Sequence, residues 1–277
     1  MKIKIPKLLK RSFFTKRERF AAGVLIISSL LFITEHFLTR SELIVVLGLS
    51  FLTDVFLYWA LRNDLKNNFS PQVFILPFFY TMAFGFFYLL VPQRLLAELV
   101  LTIIFAIGLY SLYLSQNIFI VSSIRTIALL SGARTVSFVI TILTYLFLTT
   151  IVYSLRLNIF VVLPLILFYS FFLTMQAIWS GTLEKSPRKN LLYVSLITIC
   201  QLQIAALLWF WPNTTWVLSS FDPPPVLISL FLTGFFYIVI GLSHLWFEKR
   251  LFKSTLWEYV WVGFFVFVML VAFTSWS

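Results

Sequence analysis

An all-α, polytopic integral membrane helix bundle is the fold this sequence predicts, and three observations predict it. Hydrophobic residues fill 61% of the 277 positions and charged residues 11%, whereas a soluble domain is nearer half apolar and a quarter charged. The apolar residues gather into nine stretches of 19 to 22 residues, about the length a helix needs to cross a hydrocarbon core. Lys and Arg concentrate on alternate connections between those stretches, the pattern that fixes orientation in a membrane. A soluble chain of this size has too little interior to hide 33 phenylalanines with the rest of its apolar surface. Nor does the chain show the ten-residue alternating segments of a β-barrel.

The first span, 20–38, follows a basic segment, 1–19, that holds eight Lys and Arg. It has full span length and ends in Phe32-Ile33-Thr34-Glu35-His36 without a small-x-small cleavage pattern, so it reads as a signal anchor. The second span, 43–61, carries Asp54 near its middle, and the third and fourth are 72–91 and 95–115. Residues 117–134 are too apolar for a loop and too polar for a span. Ser122, Arg125 and Thr126 share a face there, which predicts a helix lying on the inner surface. The alternative is a dip into the membrane that brings Arg125 toward Asp54.

The fifth span, 135–155, carries Ser137, Thr141, Thr144 and Tyr145 along one stripe. The sixth is 159–180. Pro77 and Pro164 each fall five residues into their spans, three and six, as the broken helices of inverted-repeat transporters do. The seventh span, 191–211, holds Thr198, Cys200, Gln201 and Gln203. Gln201 and Gln203 point to opposite sides, which predicts a central helix. Spans eight and nine are 226–246 and 255–275. Residues 20–277 thus form one transmembrane domain of about nine helices.

With the N-terminus inside, eighteen of the 21 basic residues lie on the cytoplasmic side, leaving only Arg40, Arg94 and Arg156 outside. The C-terminus is then external. Membrane orientation accounts for the net charge of +11, so nucleic acid is not an expected partner. The expected partner is the bilayer of a cytoplasmic membrane, read as prokaryotic. In segment 1–19, Ile3, Ile5, Leu8, Leu9, Phe13 and Phe14 alternate with Lys and Arg. That segment suits anionic lipid headgroups, or serves only to set topology. A membrane protein partner or a second copy of the chain is the other partner class.

Connections are no longer than about 19 residues, too short for a sensor or nucleotide-hydrolysing domain, and no phosphate-binding glycine loop occurs. His36 and His244 fall at opposite ends of their spans, so they cannot jointly hold a haem or a metal. No catalytic motif, cofactor or metal site is expected, and the single Cys200 excludes an intrachain disulfide.

The candidate site residues are those that cost most to place in lipid. A carboxylate at a span centre costs at least ~2.5 kcal/mol. Asp54 is that residue, and Ser50 and Tyr58 stand one turn to either side, predicting one polar face turned into the bundle. Asp54 then serves as a proton- or cation-binding group, or as neutral interhelical glue. Gln201, Gln203 and Thr141 complete a candidate pathway. At the outer surface Glu35, His36 and Glu98 form a candidate acidic cluster fit for acid–base chemistry. Three functions fit: a carrier of a small or lipidic solute using the buried carboxylate, a non-catalytic assembly subunit, or an intramembrane enzyme acting on lipid-linked substrates.

Overall fold

The computed structural model describes residues 15–37, 42–65, 70–91, 94–122, 129–183, 187–210 and 225–273. Within them the chain forms nine α-helices: α1 Lys16–Phe37, α2 Glu42–Leu65, α3 Gln72–Tyr88, α4 Leu95–Ser122, α5 Leu130–Ser154, α6 Ile159–Thr182, α7 Pro187–Trp209, α8 Pro225–Phe247 and α9 Lys253–Ala272. No strand occurs among the described residues. Seven helices, α2 and α4 to α9, are long and apolar enough to cross a membrane. α3 is apolar but only 17 residues long, and α1 opens on the charged run Lys16-Arg17-Glu18-Arg19. The protein is a multi-pass helical membrane protein.

The expected interfacial helix over 117–134 does not form as a separate element. Residues 117–122 extend α4, and 130–134 begin α5. Phe119 and Ile120 are buried, and Phe119 meets the Trp179 ring of α6 edge-on at 5.9 Å. Packing against a neighbouring helix thus overrides the polar letters around those residues. Arg125 and Thr126 lie outside the described residues.

α5 is the hub of the bundle, packing on α3, α4, α6 and α8. One flank is built from α1 and α2 against α3 and α4, the other from α7 against α6 and α8, and α9 leans on α8. Span seven is therefore peripheral and not central as its polar letters suggested. Gln201 is fully buried while Gln203 is exposed. Gln203 lies six residues from the C-terminal end of α7, roughly 9 Å at 1.5 Å per residue. Trp261 is 54% exposed on α9.

Aromatic rings hold α3 to its neighbours. Tyr80 stacks on Phe105 of α4 with centroids 5.5 Å apart, and Phe87 stacks on Phe147 of α5 at 4.2 Å. Gly108 makes the α3–α4 approach possible, since a Cβ there would stand 2.0 Å from Tyr80 Oη.

Two ionic clusters sit at helix ends assigned to the cytoplasmic side. Lys16 of α1 pairs with Asp64 of α2 and hydrogen-bonds Asn117 of α4, while the Arg19 guanidinium lies 5.3 Å from the Trp59 ring centre. Across the bundle, Arg134 Nη1 of α5 bonds Glu248 Oε1, just past α8, at 2.9 Å. Reporter fusions after Lys66 and Lys253 are expected to read cytoplasmic, and a fusion at Asp222 external. An external signal at Lys253 would overturn the orientation.

Candidate functional site

The polar groups of α5 form a continuous seam through the bundle. Arg134, Ser137, Thr141, Thr144, Tyr145, Thr149 and Tyr153 recur at spacings of three and four, apart from the adjacent pair 144 and 145, so they share one broad face. From Ser137 to Tyr153 every member is buried. In a membrane helix such a face must turn to protein, because lipid offers no hydrogen-bonding partner.

Each level of the seam reaches a different neighbour. At the N-terminal end of α5, Arg134 Nε donates to Ser180 O of α6 at 3.2 Å, and beside it His244 Nε2 of α8 donates to Ala177 O of α6 at 2.9 Å. One turn deeper, Gln176 Nε2 of α6 donates to Ser137 Oγ at 3.4 Å. At mid-depth Tyr145 Oη donates to Gln201 Oε1 of α7 at 3.0 Å and accepts from Ser170 Oγ of α6 at 3.3 Å. The Tyr145 ring stacks on Phe236 of α8, centroids 4.1 Å apart. Further out Thr149 pairs with Tyr169 Oη at 3.0 Å, Thr150 with Ser229 of α8 at 2.8 Å, and Tyr153 Oη donates to Ala205 O of α7 at 3.1 Å.

On the helices beside α5, several buried polar groups are unpaired. Gln116 of α4 is fully buried and neither its Nε2 nor its Oε1 has a partner. Gln176 Oε1, Gln201 Nε2 and Thr174 Oγ1 are likewise buried and unpartnered. Gln116 and Gln176 each precede, by three residues, the Phe119–Trp179 ring pair that bridges α4 and α6, so both stand one turn outward of that contact. A buried polar group left without a partner costs about 1–3 kcal/mol.

Of the residues singled out in the sequence, Thr141 and Gln201 lie in this seam. Asp54 does not: α2 packs on α1, α3 and α4, whereas α7 packs on α6 and α8. The expected common face of Ser50, Asp54 and Tyr58 twists out of the bundle, with Ser50 buried, Asp54 half-buried and Tyr58 49% exposed. Eight residues carry a helix about 80° past two full turns, more than the buried stripe of α2, which lies on the flank of the bundle, can cover. Ser50 Oγ bonds Val46 O, and Asp54 Oδ1 is buried with no partner. In the outer cluster Glu98 is buried at the start of α4, and the Glu35 and His36 side chains lie outside the described residues. Among the described residues no group of three His, Cys, Asp or Glu side chains is placed to hold a metal.

Gln116 and Gln176 escaped sequence reading for a definite reason. Gln116 falls one residue past the expected end of span four, and Gln176 lies four residues from the end of span six, so both pass for interfacial residues. An amide followed three residues later by a buried aromatic residue is the signal that could have marked them.

The family described as "Protein of unknown function (DUF5656)" matches residues 33–273. No curated protein and no solved structure matches the chain.

Proposed function

The chain belongs to the DUF5656 family, and from that premise we propose that it is a carrier whose solute binds along the α5 seam. One observation supports this reading most: Gln116, Gln176 and Gln201 are fully buried amides on α4, α6 and α7, and each has at least one polar atom without a partner. Their unmet donors and acceptors suit a polar guest. The Arg134–Glu248 pair and the His244–Ala177 bond close the inner end of the seam in this state, and the membrane is a cytoplasmic one with the N-terminus inside. Asp54 enters only as a separate carboxylate on the α2 flank, available for coupling to protons or cations.

α9 favours a second reading, the assembly subunit. Leu270 is its one buried residue among those described, and it leans on α8, leaving a long apolar face for a membrane partner or a second copy. The outer acidic cluster adds no comparable support for the enzyme.

Cysteine accessibility tests the carrier. Cys200 is the single cysteine, so Cys200→Ser provides a silent background for Gln176→Cys, Thr141→Cys and Gln116→Cys. In proteoliposomes a small membrane-impermeant thiosulfonate should modify these seam positions within minutes. The lipid-facing Ile199→Cys, 51% exposed in the parent, should stay unmodified. If no seam position reacts, the seam is glue and the carrier reading falls.

A further inference from the structure

We infer that α1 and α2 hold an anionic phospholipid at the end of the bundle assigned to the cytoplasmic side, its phosphate taken by Arg19 and Arg62; this stands apart from the carrier reading. Arg62 is the last residue of the apolar stretch Leu43–Arg62 of α2, and Trp59 stands one turn before it on the same side of the helix. There hydrocarbon gives way to headgroups, the level at which Trp rings settle. Across the α1–α2 contact the Arg19 guanidinium lies 5.3 Å from the Trp59 ring centre. Two guanidinium groups on two helices thus flank one indole.

The charges choose the occupant. Lys16 is taken by Asp64, and the Glu18 carboxylate accepts from the Thr15 N–H at 2.7 Å. Neither Arg19 nor Arg62 has a carboxylate partner among the described residues, and Arg19 Nε is buried without an acceptor. At the other ionic cluster Arg134 is met by Glu248 and by Ser180 O, so the protein does supply acceptors to guanidinium groups at this depth. Arg62 is exposed and Arg19 half-buried, so the cations that select a ligand belong to the accessible surface. A guanidinium presents its donors in a planar fork that suits phosphate oxygens, and the cytoplasmic leaflet offers anionic headgroups.

From that point an apolar strip runs into the membrane. Trp59, Val55 and Gly48 recur at spacings of four and seven on one face of α2, and all three are exposed. A Cβ at Gly48 would meet no atom within 4 Å, so the strip is open there. From Trp59 to Gly48 is eleven residues, roughly 16 Å at 1.5 Å per residue, about one leaflet of a ~30 Å core. Cations at the headgroup level above an apolar strip of one leaflet's depth match a phospholipid; a free phosphate ion matches only the cations.

The test is native mass spectrometry of the full chain in detergent, titrated with phosphatidylglycerol or with phosphatidylcholine of the same acyl chains. One phosphatidylglycerol adduct should saturate ahead of any phosphatidylcholine adduct. Arg62→Gln, at an exposed position, should weaken it about fivefold, and Arg19→Gln with Arg62→Gln about thirtyfold, the worth of one and two cations near an anionic surface. Trp59→Leu should weaken it about two- to fivefold, the worth of an exposed cation–π contact. Lys249→Gln with Lys253→Gln removes as much charge from the α8–α9 connection and should leave the adduct unchanged. An equal loss in that control, or equal binding of the two lipids, overturns the site and leaves only the general positive charge of this side. Displacement of the adduct by inorganic phosphate overturns the lipid as occupant, since a free anion then suffices.

Discussion

Gly108→Ala is expected to destabilise the bundle by about 1–3 kcal/mol, the usual cost of overpacking a filled core, and Gly108→Val by more. The added Cβ would lie 2.0 Å from Tyr80 Oη and 2.8 Å from Cζ. The ring cannot simply swing away. Tyr80 is 1% exposed, lies over Phe105 with planes 9° apart and touches Phe84 at 4.7 Å. Moving it would disturb the α3–α4 contact and, through Phe84 and Phe147 at 5.0 Å, the approach of α3 to the hub. Its hydroxyl bond to Phe105 O is long at 3.3 Å, so Tyr80→Phe alone should cost little. In the double variant the nearest clash is gone and part of the loss should return. Unfolding in mild detergent, followed by temperature or denaturant, gives the value for each variant. A Gly108→Ala protein as stable as the parent would show that the two helices do not approach this closely.

Gln116→Met is expected to act in the opposite direction, raising stability by about 1–3 kcal/mol because it removes buried polar atoms that have no partner. Methionine keeps the length of the side chain and its volume, and its flexibility suits a gap shaped for another residue. The same substitution should reduce labelling of Gln176→Cys from the aqueous phase, since the layer shared by α4, α5 and α6 loses a group that holds water. Gain of stability with loss of access is the pairing that separates a binding layer from a packing defect. Should Gln116→Met instead destabilise the protein, the amide must be bonded in the folded state, and the seam would lose its largest unpaired group.

The fold was legible in the sequence wherever physics is local to one helix. Nine apolar runs of span length gave nine helices, because each run satisfies its own backbone hydrogen bonds and needs no partner to be recognised. What failed was rank among helices. Gln201 and Gln203 implied a surrounded α7, yet Gln203 is exposed, and α5 took the centre. The α5 hydroxyls gave little sign of this, since Ser and Thr at helix contacts carry no charge to mark them as costly. Asp54 stood out for the converse reason: a carboxylate is conspicuous in any span, but only packing tells which flank it occupies. Gln116 was lost at a boundary, because residues 117–122 continue α4 through contacts with a helix sixty residues away.

A chain in a membrane is assembled in the order it is made, and α5 enters before most of its seam neighbours exist. Tyr169 and Ser170, Gln201 and Ser229 belong to α6, α7 and α8, all synthesised afterwards. During that interval the face destined for the hub stands open to lipid. Its hydroxyls are equipped to wait: Thr141, Thr144, Thr149, Thr150 and Ser154 each donate to the carbonyl four residues back, at 2.6–2.7 Å. Such bonds need only the nascent helix itself. Tyr145 and Tyr153 are too long for that expedient, and their partners lie on α7, with α6 also reaching Tyr145. Those two hydroxyls therefore gain their partners only once α6 and α7 have arrived.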